Sequence, residues 1–284
     1  MEQEKQSLPV IFEYDDFRRY LKDFYKSKKE LDPSFSLRSF AQSAGYRAPS
    51  TLKRVIEGER NLSLDGILKF SKALNLNKEE TLFFKNLVFF NQAKTPASEE
   101  HFAKKILTSK TYQKLKPLAQ DQFYYWSCWF NLIIRELITL PGFKENSEWI
   151  AKQIIPPISS KKVSIALKKL LKLGILKRDQ EGNLKQTDFS VTSGDQVINS
   201  SFKKYHRQMI QFGKESITRF SKEERHISSL TVTINKEKLE KLKVSIAKFR
   251  KEILGLIGKE GEDTQVYQIN FQVFPVSQEQ KIEE

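Results

Sequence analysis

Residues 36–76 read SLRSFAQSAGYRAPSTLKRVIEGERNLSLDGILKFSKALNL, and the first half of this stretch has the pattern of two short helices joined by a tight turn. Ser36 can cap a helix whose apolar face is Leu37, Phe40, Ala41 and Ala44 at helical spacing. Gly45 follows where the chain must turn sharply, a place that favours positive φ. Pro49 suits the first turn of the second helix, where its missing N–H leaves no hydrogen bond unmade. Leu52, Val55 and Ile56 then point inward, Ser50, Thr51, Lys53 and Arg54 project outward, and Gly58 ends the helix.

Ala41 and Ala44 are small enough to let two helices cross closely at a steep angle. The outward set mixes short hydroxyls with long cations, which fits the major groove of duplex DNA. Hydroxyls and Arg reach base edges or phosphates, and Lys supplies positioning charge. Arg38, Arg47 and Arg60 flank this face, where phosphates can be gripped. The expected DNA-binding set is therefore Arg38, Arg47, Ser50, Thr51, Lys53, Arg54 and Arg60, with the reading helix at 49–56.

Working outward, residues 14–29 read as a helix with Phe17, Tyr20, Leu21 and Phe24 on its apolar face. Asp15 and Asp16 are expected in its first turn, and Asp32-Pro33 stops it. Short helices continue to Phe90, and residues 91–98 (NQAKTPAS) read as a linker, so the first domain is predicted to be 1–97.

Residues 99–140 read as helical. The crowded apolar run from Phe123 to Ile138 is expected to be a core helix, because an aromatic stripe is packing far more often than a cofactor box. A helix from Ser147, a Pro156-Pro157 break, a helix from Ser159 or Ser160 to Leu173 and Gly174 as its C-cap come next. A hairpin across the polar turn 179–183 follows, and this helix-helix-hairpin order predicts a winged helix within domain 98–192. Lys161, Lys162, Lys168, Lys169 and Lys172 on its second helix are a candidate second DNA-binding surface, suited to phosphates more than to bases, the alternative being a connector or dimer scaffold with a solvated basic face. Asp179 and Glu181 at the wing tip oppose close phosphate approach.

After the polar stretch Ser193-Gly194-Asp195, residues 197–220 read as a long helix. Residues 228–234 alternate as a strand, 236–257 form a charged amphipathic helix, and 265–276 (QVYQINFQVFPV) read as a second strand. The predicted fold is mainly α with a smaller α/β part. It comprises an N-terminal repressor-like helix-turn-helix bundle, a central winged helix and a C-terminal strand-helix-strand unit over 193–284 for dimerisation or sensing.

Lys and Arg number 49 against 35 Asp and Glu in 284 residues, a net charge of +14, which favours a polyanionic partner. The middle third, residues 98–192, is the most basic, and residues 150–178 contain no acidic residue. Cys128 stands alone between Trp126 and Trp129, so neither an internal disulfide nor a cysteine-based metal site is expected. The opening MEQEKQSLPV lacks the pattern of a secretory signal, no long apolar run occurs, and a cytoplasmic location is expected with no membrane partner. His101, His206 and His226 lack metal-ligand spacing, and phosphate-binding glycine loops and nucleophile elbows are absent. The expectation is a protein that is not an enzyme and carries no cofactor and no metal.

Phe40-Ala41 through Ala44-Gly45, Glu57 and Gly58 with Arg60-Asn61, and the following 63–74 segment resemble the Cro and lambda-repressor class of helix-turn-helix domains. In that class the helix before the E-x-G element is the recognition helix, which corresponds to 49–56 here. Many members begin the first motif helix with a phosphate-touching Gln, whereas Ser36 and Leu37 occupy that neighbourhood, and Pro49-Ser50 replaces a more usual polar pair. Longer stretches, among them DPSFSLRSFAQSAG, RNLSLDGILKFSKALNLNKEE, LKKLLKLGILKRD and VYQINFQVFPVS, resemble a bacterial paralogous family read as transcriptional regulators, with this domain followed by a C-terminal region of unknown function. The resemblance covers about residues 14–277 and implies a homodimeric regulator of double-stranded DNA. A protein-interaction adaptor whose repressor-like domain no longer binds DNA is the alternative reading.

Overall fold

The computed structural model describes residues 8–188, 196–257 and 263–280; residues 1–7 and the stretch Ser193-Gly194-Asp195 lie outside them. The first helix, α1 (Phe17–Leu31), starts later than the periodicity suggests, because both aspartates sit ahead of it. Asp16 is its N-cap and accepts the Arg18 N–H at 2.7 Å. Asp15 is buried and accepts the Gln196 N–H at 2.8 Å, tying the start of the chain to a helix 181 residues away.

Helices α2 (Leu37–Ser43), α3 (Ser50–Ile56), α4 (Leu64–Ala73) and α5 (Lys78–Asn91) follow. Ser36 caps α2 in a reciprocal box with Ser39, satisfying two backbone donors that the helix start leaves open. Gly45 turns the chain out of α2 with φ of +71°, a conformation that costs an L-residue roughly 1–2 kcal/mol. Phe40 is fully buried at the centre, its ring within 5.6 Å of those of Phe24 and Phe35 and 6.0 Å from that of Phe70. Leu52 and Val55, also fully buried, seat α3 on α1 and α2.

The expected linker at 91–98 shrinks to four residues. Helix α5 runs to Asn91, and α6 (Pro96–Leu107) begins at the proline, with Thr95 as its cap. Proline opens a helix here because the first-turn N–H it lacks has no intrahelical acceptor. The hydrophobic core continues across residue 97 through Ala103, Ile106 and Leu107, then into α7 (Lys110–Leu115) and α8 (Ala119–Ser127). The aromatic run is two helices and not one: α8 ends at Ser127, Cys128 is extended, and α9 (Phe130–Leu137) starts afresh. The break lets the run serve two cores, with Phe123 in the first and Tyr125, Phe130 and Ile134 in the second.

The second core packs α9, α10 (Ser147–Gln153), α11 (Ser160–Lys172) and an antiparallel hairpin of β1 (Leu176–Arg178) and β2 (Leu184–Gln186). Val163, Ala166 and Leu170 of α11 are buried, and Leu167 and Leu171 are half-buried. Helix α12 (Gln196–Arg219) spans both cores. Its start joins the first through Val197 and Ile198, Phe202 stacks on Trp126 at 4.0 Å, and Phe212 meets Trp129 edge-on at 4.7 Å.

Beyond α12 the expected strand-helix-strand unit is not formed as such. The helix is present as α13 (Lys236–Ile257), but residues 228–234 and 265–276 are not paired into any ladder, and β1 and β2 make the only sheet among the described residues. Alternation marks a segment that can line a pleated surface, whereas a strand exists only when a second edge takes up its backbone groups. No helix among the described residues is long and apolar enough to cross a membrane.

Candidate nucleic-acid interface

The geometry of α3 follows from its two buried anchors. With Leu52 and Val55 fixed in the core, helical periodicity turns Ser50, Lys53 and Arg54 to the outside, while Thr51 is half-buried. The Lys53 and Arg54 side chains are 64% and 56% exposed. Arg38 in the first turn of α2, Arg47 in the α2–α3 turn and Arg60 in the loop after α3 are exposed as well.

Two acidic side chains that the sequence reading did not assign stand beside the cations. Lys53 Nζ lies 3.8 Å from Glu57, and Arg54 Nε donates to Glu59 at 3.3 Å. Both pairs are solvent-exposed and contribute at most about 1 kcal/mol each, so a phosphate oxygen or guanine edge can displace the carboxylates. The loop that carries them is held from behind by Arg18, which lies against the Phe17 ring at 4.4 Å and donates to Asn61 Oδ1 at 2.9 Å. No local pattern reveals this tie, since the partner of Arg18 is 43 residues away. The Arg60 N–H, in turn, donates to the Arg54 carbonyl at 3.0 Å and curls this loop against the end of α3.

The second basic surface divides in two. Lys161, Lys162, Lys168 and Lys172 are exposed and Lys169 is half-buried, and Lys169 and Lys172 both bridge to Asp121 of α8, at 2.5 and 2.6 Å. Lys169 also covers the Tyr124 ring at 4.7 Å. The hairpin cation Arg178 grips both carboxylate oxygens of Glu145 and the Gly182 carbonyl, and Lys185 faces Asp179 at 3.8 Å. Lys177 is exposed.

Asp121 is a buried carboxylate, only 4% exposed. Burial alone pushes its pKa up, but hydrogen bonds and charge from Lys169 and Lys172 together outweigh it and hold the carboxyl below its ordinary value. A folded-state pKa below the unfolded one stabilises the fold above the unfolded value of about 3.9, and this contribution is lost as pH falls through the folded pKa. Substituting Asp121→Asn is expected to cost about 1–3 kcal/mol near neutral pH, less than a fully enclosed pair because both lysines reach solvent. Thermal melts between neutral pH and pH 3 check this: the gap between parent and variant should narrow on acidification. A gap independent of pH would remove the ion-pair assignment.

Among the described residues no group of three His, Cys, Asp or Glu side chains is arranged to hold a metal. Residues 109–276, more than half of the chain, match a family described as a domain of unknown function, DUF4423. The match takes in everything from α7 to the second C-terminal extended segment, and α1–α6 precede it. No curated protein and no solved structure matches the chain.

Proposed function

We propose that this chain, which belongs to the DUF4423 family, is a sequence-specific DNA-binding transcriptional regulator that reads the major groove with α3. The observation that carries the reading is the division of labour along seven residues. Two fully buried side chains, Leu52 and Val55, anchor α3, and a hydroxyl, an ammonium and a guanidinium project from it into solvent. A short helix seated in this way at the edge of a helical bundle has the attributes of a recognition helix following a helix-turn, with Arg38, Arg47 and Arg60 placed for phosphates.

In this reading α10, α11 and the β1–β2 hairpin make a winged helix whose Lys161, Lys162 and Lys168 add sequence-independent grip. Lys169 and Lys172 serve instead to lock α11 onto α8 through Asp121. The protein works in the cytoplasm, without a catalytic reaction and without a cofactor, as a homodimer on two half-sites. The net charge of +14 supports a polyanionic partner.

Selection of bound fragments from random duplex DNA by the full chain tests the proposal. The expected product is a recurrent motif repeated about one helical turn, or roughly 10 base pairs, apart. Fragments retained without any shared motif, released together by moderate salt, would overturn it.

A further inference from the structure

After Met209 no described side chain is buried, although the chain continues through a 22-residue helix and two segments rich in β-branched and aromatic residues. Leu230, Val232, Leu254, Tyr267, Phe274 and Val276 each leave more than half of their surface in solvent. Helix α13 carries Leu239, Leu242, Ile246, Phe249, Ile253 and Leu256 at alternating three- and four-residue steps, the spacing of a packing seam, and none of them is buried.

The segment at 265–276 shows the same incompleteness from its other side. Three residues of one row contact their own chain: Val266 packs on the second core, Gln268 accepts from Tyr205 Oη at 3.1 Å, and Asn270 Nδ2 donates to the Met209 carbonyl at 3.0 Å. The alternate row, Tyr267, Ile269, Phe271 and Val273, is exposed, with Phe271 touching Phe249 of α13 at a centroid distance of 6.1 Å. A segment held to its own chain through Val266, Gln268 and Asn270 leaves this apolar row without a cover.

We infer that residues 227–257 and 263–276 form the homodimer interface, the extended segments of one chain pairing edge to edge with those of a second copy while the apolar rows and the α13 seam are buried together. This inference deepens the reading of the chain as a dimeric DNA-binding protein and rests on it only for the pairing of half-sites. Two considerations select a second copy as the occupant. The large apolar side chains of this region together expose an area on the order of 1,000 Å², against about 800 Å² per partner in a stable complex and a few hundred in the apolar patches of monomers.

The second is symmetry: two unpaired strand-forming edges present on both chains satisfy each other across a two-fold axis and leave a closed assembly.

Sedimentation velocity of the full chain in the absence of DNA tests the interface. The parent is expected to sediment as a dimer, and the double variant Tyr267→Glu, Ile269→Glu as a monomer with dimer dissociation weakened at least a hundredfold. Because neither residue is buried within one chain, the variant should keep the parent's circular dichroism, and Ile269→Val should remain dimeric. A parent that is monomeric at about 50 µM, or a double variant that stays dimeric, overturns the proposal. So does a monomeric parent that binds phosphatidylglycerol vesicles, which would make the surface a lipid contact. Binding to a duplex with a single half-site is measured separately, so loss of the interface and loss of the DNA reading are told apart.

Discussion

The double substitution Lys53→Ala, Arg54→Ala is expected to weaken binding to the selected DNA motif by about 2–4 kcal/mol, roughly thirty- to several-hundred-fold. An arginine placed bidentate on a guanine contributes about 1–3 kcal/mol, and a lysine on phosphate adds a smaller, salt-dependent part. The slope of log affinity against log salt should therefore become shallower by about 1–2 in the variant. The fold should not suffer, since both side chains are more than half exposed and lose only surface ion pairs to Glu57 and Glu59. Fluorescence anisotropy over a salt series, with a thermal melt as control, separates these effects. Parent-like affinity in a folded variant would transfer recognition away from α3. A loss that is equal on specific and random DNA would leave Lys53 and Arg54 as phosphate contacts alone.

Phe40→Ala carries the largest expected cost to stability, about 3–5 kcal/mol. The ring is fully buried and touches the rings of Phe24, Phe35 and Phe70, so its removal opens a cavity where α1, α2 and α4 meet. Close aromatic pairs add to the area term, and α2 cannot slide inward to refill the space because its Ser36 cap and the Gly45 turn set its ends. Urea unfolding should show a lower midpoint with nearly the same slope. The α3 face should lose its DNA affinity in parallel, because Phe40 belongs to the same core as Leu52 and Val55. A shift below about 1 kcal/mol would mean that Phe40 is not the keystone of this core.

What could be read directly from the amino acids is what depends on neighbours in sequence. Ser36 as a cap, Gly45 at the turn, the inward pair Leu52 and Val55 and the outward Ser50, Lys53 and Arg54 all follow from periodicity and single-residue backbone preferences, and all are found in place. The same holds for α11, Gly174 after it, and the β1–β2 hairpin around Gly182. The five lysines of α11 were equally visible as a basic face. That two of them, Lys169 and Lys172, are ion-paired to Asp121 was not, because this carboxylate lies 48 residues from Lys169.

Tertiary structure alone decided where the chain's packing ends and begins again. Pro96 starts a helix, and the core runs on through it; the crowded run from Phe123 splits at Cys128 to serve two cores; Asp15 leaves its helix to hold Gln196. The C-terminal segments show the difference most sharply. Composition and alternation settle that residues 228–234 and 265–276 can form strands, but a strand is a relation between two edges, and within one chain those edges find no partner among the described residues. Local preference is a property of a stretch of residues, whereas burial, ion pairing and strand pairing depend on which distant surfaces meet.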